Sequence, residues 1–409
     1  MPRQRLGTDH LSSQAAILDI IRAAGTISRV ELTQQSSFSA PTVSTVVRRL
    51  IDEGLVVEVG HGESTGGKRP TLLQLNPAAR FAIGVHLDHG GITSVLSDLA
   101  GTIVARWKRP GIGSQEPPEV VERIAADIRD NLARVAVDPE RVIGVGVVAP
   151  GPIFQHTRMT LTSPFMERWT DFPLASALED AIGLPVLLDN DATAAALGEY
   201  WAGAIDVRST FAALYMGSGL GAGIVLDGTV LRGSSSNAGE AGHICLDVDG
   251  PRCWCGARGC VEVLGGPQRV VDAARAAGLE LTGADVLQDF AEIARAAGRG
   301  DAVAVEVLRD SARYVAACAQ TLANVLDLDL VVLTGPAFAL AGSLYLPVVQ
   351  QHLDAMFFAR ESHSVEVLIS SNAPEAAAIG ACSLVLQSEL SPRRPGLRAV
   401  ADVTPVAAG

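Results

Sequence analysis

The chain has 409 residues, of which 48% are hydrophobic and 19% are charged, and its formal net charge is −13. This length and composition indicate two or three domains with sizeable cores and exclude a disordered polymer. No apolar run reaches the roughly 18 residues of a membrane-spanning helix, and the polar start resembles no signal peptide. We therefore expect a cytoplasmic, multidomain protein without a membrane partner.

The charge is unevenly distributed along the chain. Residues 1–80 contain nine Arg or Lys and seven Asp or Glu residues, which gives them a net charge of +2, whereas residues 81–409 have a net charge of −15. A protein that coats nucleic acid with its whole surface is basic throughout. Any contact with DNA is therefore expected to be confined to the N-terminal segment.

The N-terminal segment is predicted to contain three helices followed by two strands. Ser28 and Glu31 have the spacing of a capping box. Ser39 is suited to cap the next helix, since Pro41 is tolerated in a first turn. The predicted elements are helices at about 12–23, 28–35 and 39–53 and strands at 55–59 and 68–75. This order is typical of a winged helix-turn-helix domain, which we place at residues 1–79.

The third helix of this domain is predicted to enter the major groove of DNA. Its buried face is formed by Val43, Val46, Val47 and Leu50, so the other side chains face solvent or a groove. Basic residues at the tip of the wing are suited to the backbone or the minor groove, although a solvated charge pair is an alternative interpretation. The predicted DNA-binding residues are Ser39, Thr42, Ser44, Thr45, Arg48, Arg49, Lys68 and Arg69.

From residue 81 onward, predicted strands and helices alternate, which indicates an α/β architecture. The strands are predicted at 81–85, 142–148, 186–189, 210–216, 223–225 and 330–333, and the clearest helices at 118–135 and 302–326. The last segment, 390–409, is rich in Pro and Ala and is predicted to be disordered.

Four side chains within eighteen residues have the spacing of a metal site. They are His243, Cys253, Cys255 and Cys260. Thiolate and imidazole groups at this spacing can close a tetrahedron around Zn²⁺, and nearby glycines supply the tight turns that a short loop needs. Free thiols on a loop are the alternative, and Cys245 is a spare candidate ligand.

The residues around this loop resemble a known family. The run Asn237–His243 (NAGEAGH), the CWCGARGC loop and Glu262 are similar to the ROK family of repressors, open reading frames and sugar kinases. Three further blocks extend the resemblance over nearly the whole chain. They are 188–199, the glycine-rich run 217–223 and the run 332–336, in which Thr334 replaces a glycine of the family.

The resemblance implies a two-lobed, actin-like body of the ribonuclease H and sugar-kinase type. Its first lobe is expected at 80–191 together with 372–389, and its second lobe at 192–371. The glycines that match the family's second phosphate loop, interpreted here as a vestigial nucleotide loop, are Gly217, Gly219 and Gly221.

The resemblance also implies a hexose-like ligand between the lobes. The implied sugar-binding residues are Asn190, Asp191, Glu240, His243 and Glu262. Carboxylate and amide groups suit this role because sugar hydroxyls need partners in a dry cleft. A structural Zn²⁺ would fix the loop, with one nitrogen of His243 on the metal and the other facing the ligand. Helix capping is the alternative role for Asp191.

The first phosphate motif departs from that of the family's sugar kinases, which have Asp-x-Gly-Gly-Thr after the first strand. An ungapped alignment places His86 at the Asp position and Asp88 and His89 at the glycines. A gapped alignment restores Asp88 but places Ile92 at the Thr position. Side chains at glycine positions occupy phosphate space, so we expect no catalytic residue. Asp191 would be the base only in an active kinase.

These observations predict a sugar-responsive transcriptional regulator, and specifically a repressor of genes for carbohydrate metabolism or uptake. Its expected partners are operator DNA, a monosaccharide or sugar derivative, and further copies of the chain in a homodimer or tetramer. One alternative is an active ATP-dependent sugar kinase with an accessory DNA-binding head. Another is a regulator that has lost sugar binding and responds to a protein partner.

Overall fold

The computed structural model describes residues 8–62, 69–154, 158–159, 164–201, 205, 209–283 and 285–390. Lys68, most of the predicted wing tip and all but the first residue of the predicted disordered segment lie outside these residues. Two compact units divide the described chain: a head up to Ala79, grouped with the residues from Leu386, and a body at Arg80–Val385.

The head has the elements of a winged helix-turn-helix domain. They are α1 (Thr8–Ala24), β1 (Ile27–Ser28), α2 (Arg29–Gln35), α3 (Ala40–Asp52), β2 (Val56–His61) and β3 (Thr71–Leu75), with the strands in the order β1-β3-β2. The capping box is confirmed: the Glu31 N–H donates to Ser28 Oγ over 3.3 Å, and the Ser28 N–H donates to Glu31 Oε2 over 2.8 Å. Strand β1 was not predicted because it has only two residues.

The predicted apolar face of α3 is confirmed as the centre of the head's core. Val43, Val46, Val47 and Leu50 are buried, and Ile17 of α1 packs in the same domain with no exposed surface. A small domain has few buried residues, so all four of these side chains are needed in the core. Their burial fixes the rotation of α3 about its axis and therefore determines which of its other side chains face outward.

The first half of the body is a mixed five-stranded sheet with helices. Its elements are β4 (Phe81–Leu87), β5 (Gly91–Asp98), β6 (Ile103–Pro110), α4 (Pro117–Arg134), β7 (Val142–Ala149), β8 (Ile153–Phe154), β9 (Arg158–Met159), α5 (Leu174–Ile182) and β10 (Val186–Asn190). The sheet has the order β10-β7-β4-β5-β6, in which β4 is parallel to β7 and antiparallel to β5. Strands β8 and β9 form a separate small hairpin.

The second half repeats this topology. Its elements are α6 (Asp191–Trp201), β11 (Phe211–Met216), β12 (Leu220–Leu226), β13 (Thr229–Val230), α7 (Val261–Gly265), α8 (Pro267–Ala276), α9 (Val286–Gly298), α10 (Ala302–Leu326), β14 (Leu330–Thr334), α11 (Pro336–Met356), β15 (Glu366–Ile369) and α12 (Ala376–Leu390). The sheet order is β13-β12-β11-β14-β15, with β11 antiparallel to β12 and parallel to β14.

The six strands that the sequence predicted in the body are all present, with ends that differ by a few residues, and so are the predicted helices α4 and α10. The pair β5 and β6 was not predicted, because its polar and apolar residues alternate only in part. None of the helices among the described residues has the length and apolar character that crossing a bilayer requires.

Helix α12 lies directly on the backbone of the first sheet. Gly84 of β4 and Gly146 of β7 are paired in register, and a methyl group on either would overlap a carbonyl oxygen of α12, that of Ala378 or Ala381. The central strands therefore need glycine at these positions, since neither a strand interior nor a helix backbone can move aside.

Replacing Gly146 with Ala is expected to destabilise the body by about 3 kcal/mol or more, because the overlap involves two backbones. The matched control is Gly298→Ala at the end of α9, where an added methyl group meets no atom within 4 Å. That change is expected to be neutral or to stabilise by about 0.5–1 kcal/mol. Thermal unfolding followed by circular dichroism measures both, and equal melting temperatures would contradict the packing argument.

Candidate functional site

Asn190 and Asp191 lie at the junction between β10 and α6, and both are buried. Asn190 Oδ1 accepts the N–H of Thr193 over 3.0 Å, as a helix-capping side chain does. Asp191 Oδ1 accepts the adjacent N–H of Ala192 over 2.8 Å. Asn190 therefore caps α6, and Asp191 lies in its first turn. Of the two carboxylate oxygens of Asp191, Oδ1 is engaged by the Ala192 N–H and Oδ2 is left for another partner.

That second oxygen faces His86, the residue at the end of β4 that the sequence placed at the kinase Asp position. His86 Nε2 lies 3.5 Å from Asp191 Oδ2, and both side chains are about nine-tenths buried. Burial lowers the pKa of His86, but the hydrogen bond and charge of Asp191 and the charge of Asp88 outweigh it and raise that pKa above 6.5. The pair therefore favours imidazolium beside carboxylate.

Asp88 connects the turn after β4 with the vestigial nucleotide loop. Its Oδ1 accepts the hydroxyl of Ser218 over 3.0 Å and the N–H of His89 over 2.6 Å. Burial raises the pKa of Asp88, while the charge of His86 and these hydrogen bonds lower it in part. The loop with Gly217, Gly219 and Gly221 thus meets the buried carboxylate of Asp88 at the turn after β4.

Glu240 and Glu262 extend the acidic cluster. Burial, and then the charge of Asp191, raises the pKa of Glu240 to about 7. Burial also raises the pKa of Glu262 to about 7, and the charge of Glu240 raises it further. The hydrogen bond that Glu262 Oε2 accepts from the Leu220 N–H, over 2.7 Å, lowers this pKa in part. Asp191 therefore lies close enough to Glu240, and Glu240 to Glu262, for the charge of one carboxylate to raise the pKa of the next.

The four predicted metal ligands form a cluster. His243, Cys253, Cys255 and Cys260 each offer one ligand atom, and these atoms lie within 4.8 Å of one another. His243 Nδ1 is 3.6 Å from Cys253 Sγ, so it is the ring nitrogen that faces the thiols, and Nε2 remains for another partner. Cys255 Sγ and Cys260 Sγ are 3.8 Å apart. Cys245 is exposed and is not part of the cluster.

This cluster closes a loop whose two ends bear the acidic residues Glu240 and Glu262. The Glu240 carbonyl accepts the N–H of His243 over 3.0 Å, and Glu262 lies in α7, which begins directly after Cys260. Inside the loop, Gly259 has φ of +59°, and a side chain there would overlap the carbonyl oxygen of Asp247. A metal ion at the cluster would therefore hold both carboxyl groups at fixed separation.

Three side chains at the site were not singled out from the sequence. Tyr215 of β11 meets the ring of His86 edge-on, with centroids 6.0 Å apart. Arg232 Nη1 donates to Asp189 Oδ2 over 2.6 Å, next to Asn190. Asn237 binds both backbone groups of Ile153. The nearest sequence signals were the position of Tyr215 before the glycine run and of Asn237 within the NAGEAGH block.

A cavity of about 230 Å³ opens beside the vestigial nucleotide loop, and none of the five predicted sugar-binding residues lines it. Its walls include His89, Ser218, Gln268 and Arg275, the last of which is paired with buried Asp289.

The predicted DNA-contacting side chains of α3 differ in how they are engaged. Ser39 Oγ accepts the N–H of Thr42 and lies 2.9 Å from its hydroxyl. Thr45 donates to the carbonyl of Pro41 over 2.9 Å. These hydroxyls therefore stabilise the helix start.

Of the remaining predicted side chains, Lys68 lies outside the described residues, and four are exposed: Ser44, Arg48, Arg49 and Arg69. Arg49 makes a long ion pair with Glu53 at 3.8 Å. The Ser44 side chain makes no hydrogen bond to any described residue, and it is exposed one helical turn from Arg48.

The chain is similar to regulators along nearly its whole length. Residues 82–388 match the ROK family, and residues 13–57 match a winged helix-turn-helix DNA-binding family. A xylose repressor from Caldicellulosiruptor bescii is 29% identical over 378 residues, which cover 89% of this chain and 93% of the relative.

Solved structures show the same relationship. A ROK family transcriptional regulator, a homolog of the E. coli MLC protein, superposes with a TM-score of 0.74 at 25% identity, over 94% of this chain and 98% of that one. A ROK family glucokinase from Streptomyces griseus, in complex with glucose and AMPPNP, covers 74% of this chain and 98% of its own, with a TM-score of 0.63 and 28% identity. This chain therefore belongs to the ROK family, in the branch of transcriptional regulators with an N-terminal winged helix-turn-helix domain.

Proposed function

We propose that this protein is a sugar-responsive repressor that binds operator DNA through its head and a monosaccharide in its body. The observation that supports it most is the meeting of Asn190, Asp191 and Glu240 beside a cysteine–histidine cluster in a chain that also has a DNA-binding domain. We further propose that it acts in the cytoplasm as a homodimer or tetramer, because one winged helix alone makes a small interface.

The sugar is proposed to lie between a lobe of residues 80–191 with 372–389 and a lobe of residues 192–371. Its hydroxyls would donate to the carboxylates of Asp191, Glu240 and Glu262 and pair with the amide of Asn190 and Nε2 of His243. Since these groups are largely buried, an analogue lacking a hydroxyl would leave a polar group without a partner, which is costly.

We propose that the bound sugar is not phosphorylated. In support, His86 pairs with the would-be base Asp191, and the Asp88 side chain occupies the turn that would have to approach phosphate. The glucokinase relative and the retained Asp191 favour kinase activity instead, but both oxygens of Asp191 already face other groups, the N–H of Ala192 and the ring of His86.

Replacing Asp191 with Ala is expected to weaken sugar binding about tenfold to a hundredfold, because a buried hydroxyl loses its charged acceptor. D-xylose, D-glucose and N-acetyl-D-glucosamine are the first sugars to test, by thermal shift and then calorimetry. Asp180→Ala, at an exposed position of α5, is the matched control. The same sugars incubated with ATP should be recovered unchanged, and turnover of about 1 per second or more would show a kinase.

We propose that the cluster of His243, Cys253, Cys255 and Cys260 binds one structural Zn²⁺. Three thiols and one imidazole are a donor set that zinc prefers, and all four ligands come from the protein, which leaves no open position for catalysis. The ion would fix the loop that positions Glu240 and Glu262, so the metal and the sugar are expected to be linked through the loop rather than by contact.

Elemental analysis of the purified protein should find one zinc per chain. Cys255→Ser and Cys260→Ser are each expected to lose it and to bind sugar more weakly, because a thiolate ligand is replaced by a poor one. Cys245→Ser removes an exposed neighbouring thiol outside the cluster and should retain the metal. Zinc retained in both ligand variants, or lost in the Cys245 variant, would refute the assignment.

For the head, we propose that Ser44 and Arg48 of α3 contact base edges while Lys68 and Arg69 of the wing contact the backbone or minor groove. The hydroxyls of Ser39, Thr42 and Thr45 cap and close the first turn of α3, which presents its N–H groups to a phosphate. Arg49, paired with Glu53, is proposed to contribute a phosphate contact.

Replacing Lys68 and Arg69 together with Ala should weaken specific and nonspecific DNA binding alike. The log–log salt slope should fall by about 0.9 for each lost phosphate contact. Ser44→Ala should instead change the preferred sequence in a selection from random duplexes, with little effect on the slope. Arg134→Ala, an exposed charge on α4, controls for net charge. An unchanged slope in the double variant would remove the wing from the interface.

A further inference from the structure

Cys245 lies opposite one of the proposed metal ligands across a short antiparallel bridge. Its partner is Cys260, the residue before α7. Two hydrogen bonds flank the pair: the Leu246 N–H donates to the Gly259 carbonyl over 2.8 Å, and the Val261 N–H donates to the Ile244 carbonyl over 3.0 Å. The two cysteines are therefore a pair that lies between hydrogen bonds and is not joined by them. In an antiparallel ladder, opposite side chains approach most closely in pairs of this type.

This placement suits a disulfide bond. In such a pair the Cα atoms are about 4.5 Å apart, and both side chains lie on the same face. Disulfides join Cα atoms that are about 4.4–6.8 Å apart, so the two sulfurs can bond without a movement of the backbone. The movement required is a rotation of the exposed Cys245 side chain, since its Sγ lies outside the cluster of ligand atoms.

The two thiols differ in their access to solvent. Cys245 is exposed, whereas Cys260 has no exposed surface and its Sγ lies 3.8 Å from that of Cys255. Cysteines that are oxidised reversibly are typically exposed and have a second cysteine beside them that reacts with the oxidised sulfur. The two cysteines outside the loop, Cys318 and Cys382, are buried and therefore shielded from an oxidant in solution.

We propose that Cys245 and Cys260 form a reversible disulfide in response to a peroxide, and that this bond opens the metal cluster. This inference rests on the proposed zinc site. In the first step the Cys245 sulfur attacks hydrogen peroxide: the O–O bond breaks, an S–O bond forms, and water leaves with the thiol proton. In the second step the Cys260 sulfur, which has no proton as a metal ligand, attacks the Cys245 sulfur. The S–S bond forms, the S–O bond breaks, and the departing hydroxide takes a proton from solvent, so the two sulfurs are oxidised and the peroxide is reduced to water.

The disulfide would replace the metal as the closure of the loop. Once Cys260 is bonded to Cys245, three of the proposed ligands remain: His243, Cys253 and Cys255. A metal ion that has lost a protein ligand is released more easily. The loop between the two bonded cysteines stays closed, but the ring of His243 loses the partner that orients it from the Nδ1 side. Oxidation would therefore act on a side chain of the proposed sugar site.

The test is peptide mapping of the full-length, zinc-loaded protein after treatment with hydrogen peroxide. Cleavage by trypsin after Arg252 and Arg258 divides the loop into three peptides. The first contains Cys245, the last contains Cys260, and the other two cysteines of the loop lie in the middle one. The expected product links the first peptide to the last, and dithiothreitol should separate them again. A colorimetric zinc indicator should show release of the metal over the same time course.

Cys245→Ser should release zinc about tenfold more slowly than the wild type, because it lacks the exposed thiol that meets the oxidant. Val248→Ser is the matched control, since it changes a side chain of the same loop that is 77% exposed and keeps every thiol. It should behave as the wild type does.

Absence of the expected linkage, a disulfide between the middle and last peptides, or release of zinc from Cys245→Ser at the wild-type rate would overturn the proposal while leaving the zinc site standing. If the reduced protein contains no zinc, the metal assignment itself fails, and the peptide map of the wild type alone decides whether the disulfide forms.

Discussion

The burial of several carboxyl groups around the start of α6 is the constraint on which the proposed sugar site depends. An ionised carboxylate is costly to remove from water unless hydrogen bonds or a counter-ion compensate. Here the compensation comes from the N–H of Ala192 and the imidazole of His86 for Asp191, and from the hydroxyl of Ser218 for Asp88. Each of these contacts also holds a carboxyl group in one position. The interactions that offset the cost of burying the charges therefore also determine the geometry of the cluster.

The rigidity of that geometry comes from close packing of backbones. Gly223 of β12 lies against Ala192 and Ala196 of α6, and Gly198 of α6 lies against Gly380 of α12, where side chains would overlap the facing helix. Helix α6 is therefore held between the second sheet and α12. Since Asp191 is the first residue of α6, small residues far from it in sequence determine where its carboxyl group lies.

Local signals explain what the sequence could predict. The capping box of Ser28 and Glu31 and the apolar face of α3 each lie within a few residues, and the four cluster residues lie within eighteen, so spacing alone indicated them. The strand pair β5 and β6 was missed because its alternation is incomplete. Tyr215 and Arg232 were missed because their partners, His86 and Asp189, are distant in sequence and no local pattern marks the contact.

The proposed replacement of the first phosphate motif would have two consequences that are physically coupled. A kinase needs an open turn after its first strand, so that phosphate and metal can approach the sugar and the base beside it. In this chain Asp88 lies in that turn and accepts a hydrogen bond from Ser218 just before β12, so the turn after β4 is linked to the glycine-rich loop. His86 at the same time lies 3.5 Å from Asp191 Oδ2, so this carboxylate already faces a basic side chain. On the proposed function, the binding energy of the sugar would select one conformation of the body instead of lowering a chemical barrier.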